Sequence, residues 1–295
     1  MPFYSPLRYP GGKRKLANYI LAFAHLNDLR GHVYVEPYAG GAAVAAQLLI
    51  EQHVPQVWIN DIDPLICTFW QVLKNRPEEL CRRILDTPLT IEEWDHQRAV
   101  QLSSDPEPLD LAFSTFFLNR TNRSGILLGG VIGGREQSGK WKMGTRFNRN
   151  NLVNRIETIA HEADRLRVTG MDAADVLKEV EDEQLRAFVF LDPPYFHKTD
   201  RRLYRDDYAS DDHEALAQLL SRTALPWLLS YDDCPEIRSL YSWADVLPYR
   251  LSYTAGRKRR GGELLLSPRH FRRPSATDPA RLPASELEEL LEALG

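Results

Sequence analysis

The stretch AFVFL, residues 187–191, most constrains the fold, because Asp192, Pro193 and Pro194 follow it directly. Its five apolar residues predict a strand that is buried on both faces of a sheet. Proline has a fixed φ and no N–H group to donate, so the strand cannot continue past Asp192. The sequence thus predicts a central strand that ends in a carboxylate on a rigid turn, with Tyr195 beside it.

Short apolar strands alternate with helix-forming segments in two parts of the chain. This alternation predicts an α/β fold with a mostly parallel sheet, because parallel strands need helical crossovers. We predict strands at residues 33–36, 57–60, 167–170, 187–191 and 226–230, and helices that include residues 65–73 and 211–222. Near the C-terminus, two further apolar strands flank the basic run 257–260 and predict a hairpin with a basic loop.

The alternation stops between about residues 75 and 162. Three helical patterns occur there, followed by the glycine-rich stretch 125–147, which predicts a β-hairpin. We therefore predict a discontinuous α/β domain and an inserted, mainly helical domain that carries the hairpin. The predicted boundaries are 1–74 and 163–273 for the α/β domain, 75–162 for the insertion and 274–295 for a tail with a loosely attached acidic helix.

Composition excludes several classes of protein. The formal net charge of −4 gives no global basic balance, so any nucleic-acid surface must be local. Three cysteines without C-x-x-C spacing disfavour a disulfide framework and a zinc site, and we expect no metal and a reducing cytoplasm. The N-terminus has no apolar signal-peptide core, and no apolar run is long enough to cross a membrane.

A glycine turn and an acidic residue suggest a nucleoside-containing ligand. EPYAGGAA, residues 36–43, joins a strand to a helix through Gly40 and Gly41, which lets a ligand approach the backbone. Asp61 ends the next strand about 20 residues later, where a carboxylate can accept hydrogen bonds from ribose hydroxyls. A purely structural turn remains the alternative, and Asp63, which precedes Pro64, is better placed to cap a helix.

The turn at Asp192 carries groups that are complementary to an amine on a planar ring. Asp192 and the carbonyl of Pro193 are hydrogen-bond acceptors, and Tyr195 offers a flat face. The strand tip would open at the crevice where open α/β sheets bind ligands. The alternative is a stiff turn with a solvated carboxylate.

These motifs, in this order, resemble the Dam-like, D12 class of DNA adenine-N6 methyltransferases over about residues 5–270. PLRYPGGK resembles the N-terminal cofactor motif, EPYAGG the glycine loop and NDID the acidic strand end. FFLNRTNRSGI resembles the segment that leads into the hairpin of the target-recognition domain, and LDPPY resembles the catalytic tetrapeptide with its preceding residue. The glycine loop reads GGA where a G-x-G form is common, which leaves only details of cofactor contact open.

The resemblance implies a Rossmann-like fold that binds S-adenosyl-L-methionine (AdoMet). Lys13 would meet the methionine carboxylate, Asp61 the ribose and Asp172 the adenine amino group. Asp172 can equally cap the helix that follows it. The cofactor-binding residues implied are Tyr9, Gly12, Lys13, Glu36, Pro37, Gly40, Gly41, Asp61 and Asp172.

The resemblance also implies methylation of adenine N6 in double-stranded DNA by base flipping and direct attack. Asp192, Pro193, Pro194 and Tyr195 would be catalytic. Asp192 and the Pro193 carbonyl would accept the N6 hydrogens while Tyr195 stacks on the flipped base. We expect Asp192 to act in its ionised form.

A basic cluster in the insertion predicts the DNA contact. Residues 120–149 contain seven basic residues and one acidic residue, Glu136. Trp141 is predicted to be a core residue rather than an intercalating one. The candidate DNA-binding residues are Arg8, Asn119, Arg120, Asn122, Arg123, Ser124, Lys140, Arg146, Arg257 and Lys258.

Three other functions fit parts of the pattern. N4-cytosine methyltransferases more often have Ser, and protein glutamine methyltransferases Asn, where this chain has Asp192. A DNA-binding module that has lost catalysis would not need the intact cofactor motifs. We expect a monomeric bacterial or phage-encoded enzyme, and a cognate restriction endonuclease, where there is one, would act separately.

Overall fold

The computed structural model describes residues 3–9, 12–196, 210–252, 260–276 and 278–294. The predicted DNA contacts Arg257 and Lys258 lie outside these residues. Within them, no group of three His, Cys, Asp or Glu side chains is arranged to hold a metal ion. The described helices include none that is both long and apolar enough to cross a membrane.

Seven strands form one sheet in the described part of the chain. Their order is β3-β2-β1-β4-β5-β7-β6. Strands β1 to β5 are parallel, whereas β7 runs antiparallel to both β5 and β6. The strands are β1 Val33–Glu36, β2 Val57–Asn60, β3 Leu166–Thr169, β4 Ala187–Leu191, β5 Trp227–Asp232, β6 Asp245–Ser252 and β7 Arg260–Ser267. This mixed, mostly parallel sheet confirms the predicted Rossmann-like methyltransferase fold.

Helices cover both faces of the sheet. They are α1 Ala17–Leu26, α2 Ala43–Ile50, α3 Pro64–Asn75, α4 Pro77–Asp86, α5 Ile91–Leu102, α6 Pro108–Thr121, α7 Arg149–Ala160, α8 Ala173–Asp182, α9 Ser210–Arg222, α10 Pro235–Leu240 and α11 Ala284–Leu294. Helices α1 to α3 share a core with Phe188 and Phe190 of β4. Helices α8 to α10 share the other core with Val189 and Leu191. β4 is therefore buried on both sides, because alternate side chains point to opposite faces.

The helices between β2 and β3 extend the first of these cores. The ring of Phe116 on α6 stacks on that of Phe69 on α3, with centroids 6.1 Å apart. The predicted hairpin within residues 125–147 does not form. Asn122 and Val131 make one isolated antiparallel bridge, and a short 3₁₀ helix spans Met143–Arg146. The reason is the glycine content: Gly125, Gly133 and Gly134 have positive φ, which turns the chain instead of extending it.

The C-terminal segment is held against the sheet domain and is not loosely attached. Asn18 Nδ2 on α1 donates a hydrogen bond to the carbonyl of Leu282, at 2.9 Å. Leu282 and Leu287 are buried in the core that contains α1. The apolar residues of this acidic helix thus have a packing partner that the local pattern did not reveal.

The strand order reverses between β1 and β4. From β1 the sheet runs to β2 and β3 on one side, and from β4 to β5 on the other. At such a switch point the flanking helices diverge and leave a crevice beyond the carboxyl ends of the strands. The glycine turn follows β1 and the Asp192 turn follows β4, so both predicted motifs lie at this crevice.

Candidate active site

Asp192 forms a close ion pair at the tip of β4. Lys13 Nζ lies 2.8 Å from Asp192 Oδ1 and 2.9 Å from Oδ2. The Lys13 side chain is almost fully buried, whereas that of Asp192 is 24% exposed, so one face of the carboxylate is open. Burial raises the pKa of Asp192, and the charge of Lys13 opposes that rise.

A second carboxylate, which the sequence analysis missed, lies behind this pair. Glu263 on β7 is buried, with its Oε2 3.9 Å from Lys13 Nζ. The hydroxyl of Tyr249 donates a 2.6 Å hydrogen bond to Glu263 and is itself 2.9 Å from the hydroxyl of Ser230. The signal in the sequence that could have revealed Glu263 is its position directly before the apolar run Leu264–Leu266, because an acidic residue next to a buried strand needs a partner.

Tyr195 lies beside both acidic groups. Lys13 Nζ is 5.0 Å from the centroid of the Tyr195 ring, and the Tyr195 hydroxyl is hydrogen-bonded to Glu263. The following backbone N–H, of Phe196, donates to Asp232 Oδ1 at the end of β5, at 3.0 Å. Pro193 is buried and Pro194 half-buried. The turn is therefore fixed by its prolines and by contacts from three neighbouring elements.

The N-terminal segment covers the glycine turn. A Cβ atom at Gly40, whose φ is +47°, would come within 2.9 Å of the Tyr9 ring, and one at Gly41 within 3.1 Å of Tyr9 Cβ. Gly12 N donates a hydrogen bond to the Tyr9 carbonyl, at 3.2 Å. The structure thus places Tyr9 against both glycines of the turn and links it to Gly12, the residue before Lys13. Binding of a cofactor by these residues stays a prediction.

Asp61 and Glu36 stabilise the same turn. Asp61 Oδ2 accepts a 2.7 Å hydrogen bond from Gly40 N, and its Oδ1 accepts one from Asp63 N. Glu36 Oε1 accepts from Ala45 N in the first turn of α2 and from the Tyr34 hydroxyl. Burial raises the pKa of Glu36 to about 8. Glu36 therefore caps α2, a role that compensates for its non-polar N-cap residue.

Asn60 joins the loops after three strands and was also missed. Its amide nitrogen donates to the carbonyls of Pro37 and Met171, each at 2.9 Å, and its oxygen accepts from Met171 N. Asp172, in the third loop, accepts from Ala174 N at 2.8 Å and is the N-cap of α8. The capping interpretation of Asp172 is confirmed, and its exposed side chain remains available for a ligand.

Comparison with known proteins identifies the family. The profile of the D12 class N6 adenine-specific DNA methyltransferase family matches residues 9–254, which include the Tyr9 segment, the glycine turn, the insertion and the Asp192 turn. The chain belongs to the D12 class. The enzyme is therefore an adenine-specific DNA methyltransferase, as the sequence motifs predicted.

Other comparisons add little to this assignment. No curated protein matches the chain. Among solved structures, the rRNA methyltransferase AviRa from Streptomyces viridochromogenes aligns with 17% identity and a TM-score of 0.39, over 88% of this chain and 86% of its own. A second structure of AviRa aligns with 15% identity and the same TM-score and coverage.

Three predicted DNA-binding residues of the D12 enzyme are buried structural groups. Asn119 accepts from Arg8 N and donates to the Arg8 carbonyl, both at 2.7 Å, and also donates to the Gly125 carbonyl. The guanidinium of Arg120 donates to the carbonyl of Pro6. Asn122 accepts from Trp94 Nε1 at 2.7 Å. Asn119 and Arg120 thus hold the insertion to the N-terminal segment, whereas Asn122 holds α5 to the loop after α6, and none of the three faces solvent.

The other predicted contacts remain accessible. Arg123, Lys140 and Arg146 are exposed, and Ser124 and Arg8 are half-buried. The prediction of a core position for Trp141 was wrong: its side chain is 61% exposed, and Lys140 Nζ lies 5.6 Å from its ring.

Proposed function

We propose that this D12-class enzyme transfers a methyl group from AdoMet to N6 of an adenine flipped out of double-stranded DNA. The observation that carries the proposal is the partly exposed Asp192 side chain at the switch point of the sheet, paired with Lys13 and adjacent to Tyr195. An acceptor and a flat ring on a fixed turn are complementary to an extruded adenine.

Residues around the crevice beside this turn support AdoMet as the methyl donor. Gly40 and Gly41 lack side chains where their backbone lies close to Tyr9. Asn60 links the loops that follow β1, β2 and β3. Asp61 and Asp172 place carboxylates on two of those loops, suited to ribose hydroxyls and to an adenine amino group. The contact of Lys13 with the methionine carboxylate stays a prediction. AdoMet, when bound, supplies an electrophilic methyl group.

The residues of the turn then act on the adenine. Flipping costs roughly a few kcal/mol, which stacking on Tyr195 would offset in part. Asp192 and the Pro193 carbonyl accept the two N6 hydrogens, which localises the nitrogen lone pair and stabilises the positive charge that develops there. As the new N–C bond forms, the bond between the methyl carbon and the sulfur of the donor would break with its electron pair left on sulfur, and one N6 proton would pass to Asp192. Because burial raises the pKa of Asp192, the acid limb of the pH–rate profile should lie above the ordinary carboxyl range.

An arginine cluster supports DNA as the second ligand. Burial, and then the charges of three neighbouring arginines, lower the pKa of Arg120 to about 9; these neighbours are Arg155, Arg8 and Arg146. Arg8 Nη1 is buried without a hydrogen-bond partner among the described residues. A DNA phosphate close to Arg8 and Arg146 would relieve the repulsion between these cations.

Transfer of labelled methyl groups tests the proposal directly. The purified enzyme is incubated with labelled AdoMet and with unmethylated double-stranded DNA, single-stranded DNA or RNA, and the modified base is mapped. We expect N6-methyladenine in double-stranded DNA at one sequence motif. Label in N4-methylcytosine or only in RNA would contradict the proposal. Light scattering tests the accompanying prediction that the enzyme is a monomer and needs no endonuclease subunit.

Neutralising Arg123 or Arg146 should weaken DNA binding without changing AdoMet affinity. Each exposed cation that contacts a phosphate releases about 0.9 counterion, so Arg123→Gln or Arg146→Gln should lower the slope of log Kd against log salt by about 1. Fluorescence anisotropy over a salt series measures this, and exposed Arg82→Gln on α4 is the matched control. A parallel loss of AdoMet affinity would show that these residues belong to the cofactor site.

Trp141→Ala should weaken DNA binding by roughly tenfold at constant protein stability. An exposed aromatic ring beside Lys140 is suited to stacking on a base, an interaction worth about 1–3 kcal/mol. The measurements are DNA affinity by anisotropy and the melting temperature without DNA. Trp141→Phe, which keeps a stacking surface, should retain most of the affinity. A lower melting temperature with unchanged affinity would restore the core interpretation.

A further inference from the structure

We infer that Glu263 is a positioning residue for methyl transfer. Its carboxylate attracts the ammonium of Lys13 in competition with Asp192, so that Asp192 keeps its capacity to accept a hydrogen bond and a proton from the adenine amine. This inference rests on the proposed function. Neither the Asp-Pro-Pro-Tyr turn nor the cofactor motifs include Glu263, which lies on a strand at the far side of β5. It would act through Lys13 and Tyr195 and not on the substrate.

Glu263 interacts with three side chains of the site, Lys13, Tyr249 and Tyr195. Its Oε2 lies 3.9 Å from Lys13 Nζ, which in turn lies 2.8 Å from Asp192. The carboxylate also accepts from the Tyr249 hydroxyl at 2.6 Å and is hydrogen-bonded to Tyr195. Glu263 is 1% exposed, so solvent screens little of its charge. One buried acid thus contacts both the cation that pairs with Asp192 and the ring predicted to stack on the base.

The contact between Glu263 and Lys13 affects Asp192 because Lys13 is also the cation that pairs with Asp192. The titratable groups that interact with Asp192 come from four further elements of the fold and from its own turn: Lys13, Tyr34, Glu36, Tyr249, Glu263 and Tyr195. Lys13 is the cation among them. With Glu263 ionised, Lys13 divides its attraction between two carboxylates, and Asp192 is neutralised only in part.

Without the charge on Glu263, Lys13 would pair with Asp192 alone. Its ammonium would then hold both carboxylate oxygens more firmly, and the pKa of Asp192 would fall. A carboxylate with a lower pKa is a weaker acceptor and a weaker base for the N6 proton. The expected result is slower transfer at unchanged binding, with an acid limb at lower pH.

Glu263→Gln isolates the charge from the hydrogen bonds. The amide oxygen of glutamine still accepts from Tyr249 and Tyr195, and the side chain has almost the same shape. We expect kcat to fall about threefold, as a base weakened by about half a pKa unit allows, while KM for DNA and Kd for AdoMet change less than twofold. The acid limb of kcat should move to lower pH by about half a unit or more. Exposed Glu79→Gln on α4 is the matched control, with wild-type kcat and pH profile.

A merely structural role for Glu263 gives a different pattern. If E263Q has a lower melting temperature or a raised KM, but the acid limb does not move, the inference is wrong. If E263Q does not fold, Tyr249→Phe provides the test, because loss of the hydroxyl donor raises the pKa of Glu263 and should shift the acid limb in the same direction. An unmoved limb in Y249F would also overturn the inference. Absence of methyl transfer by the wild-type enzyme would instead refute the proposed function.

Discussion

Asp192→Ala is expected to reduce methyl transfer by about 10³-fold or more. The substitution removes the open carboxylate that would accept an N6 hydrogen and take the proton after transfer. Loss of one preorganised group that stabilises developing charge costs roughly 10²–10³ in rate, and Asp192 is proposed to perform two such tasks. It also leaves the buried ammonium of Lys13 without its closest partner.

Single-turnover assays with labelled AdoMet measure this effect, together with circular dichroism and AdoMet binding. Asp192→Asn keeps the shape of the side chain and an acceptor oxygen but cannot take the proton, so it should also be nearly inactive. Asp182→Ala at the exposed end of α8 is the control and should retain activity. Methyl transfer by D192A within tenfold of the wild-type rate would refute the proposed mechanism.

Asn119→Ala is expected to destabilise the fold by about 3 kcal/mol and not to act mainly on DNA. The buried amide makes three hydrogen bonds, two with the Arg8 backbone and one with the Gly125 carbonyl. Alanine leaves those three groups unsatisfied and opens a small cavity, and an unpaired buried polar group costs about 1–3 kcal/mol. For a chain of this size we expect the melting temperature to fall by roughly 6–12 °C.

Thermal unfolding followed by circular dichroism tests this prediction. Exposed Asn150→Ala on α7 is the matched control and should leave the melting temperature within about 1 °C. DNA affinity, measured well below the transition, should be affected less by N119A than by R146Q. An unchanged melting temperature with a large loss of DNA affinity would instead support the original interpretation of Asn119 as a DNA contact.

The parallel core of the sheet was predictable because its signals are local. Strands β1, β2 and β4 begin and end where the apolar runs do, since Pro193 or a polar residue stops each run. Asp63 was correctly predicted as the N-cap of α3, because a carboxylate before a proline-led helix satisfies a free N–H group of the first turn. Such features need only neighbouring residues.

The insertion was less predictable. The glycine-rich stretch 125–147 was predicted to form a β-hairpin, but its glycines turn the chain before a ladder can form. Asn119, Arg120 and Asn122 are of residue types that often bind DNA, and nothing in their local sequence distinguishes a buried amide from an exposed one. Their partners Arg8, Pro6 and Trp94 lie far away along the chain. Trp141 was wrongly predicted to be a core residue because large aromatic residues are buried more often than not, and its local sequence does not indicate its exposed position.

By itself, the sequence determined the family, the order of the strands along the chain and the turn that carries Asp192, because each follows from a contiguous motif. The tertiary structure alone decided which charges meet at that turn. Lys13 reaches Asp192 across 179 residues of sequence, and Glu263 arrives on an antiparallel strand whose position depends on β5. The interaction between two charges depends on their distance in space and on how much water surrounds them, and the spacing of residues along the chain gives neither quantity.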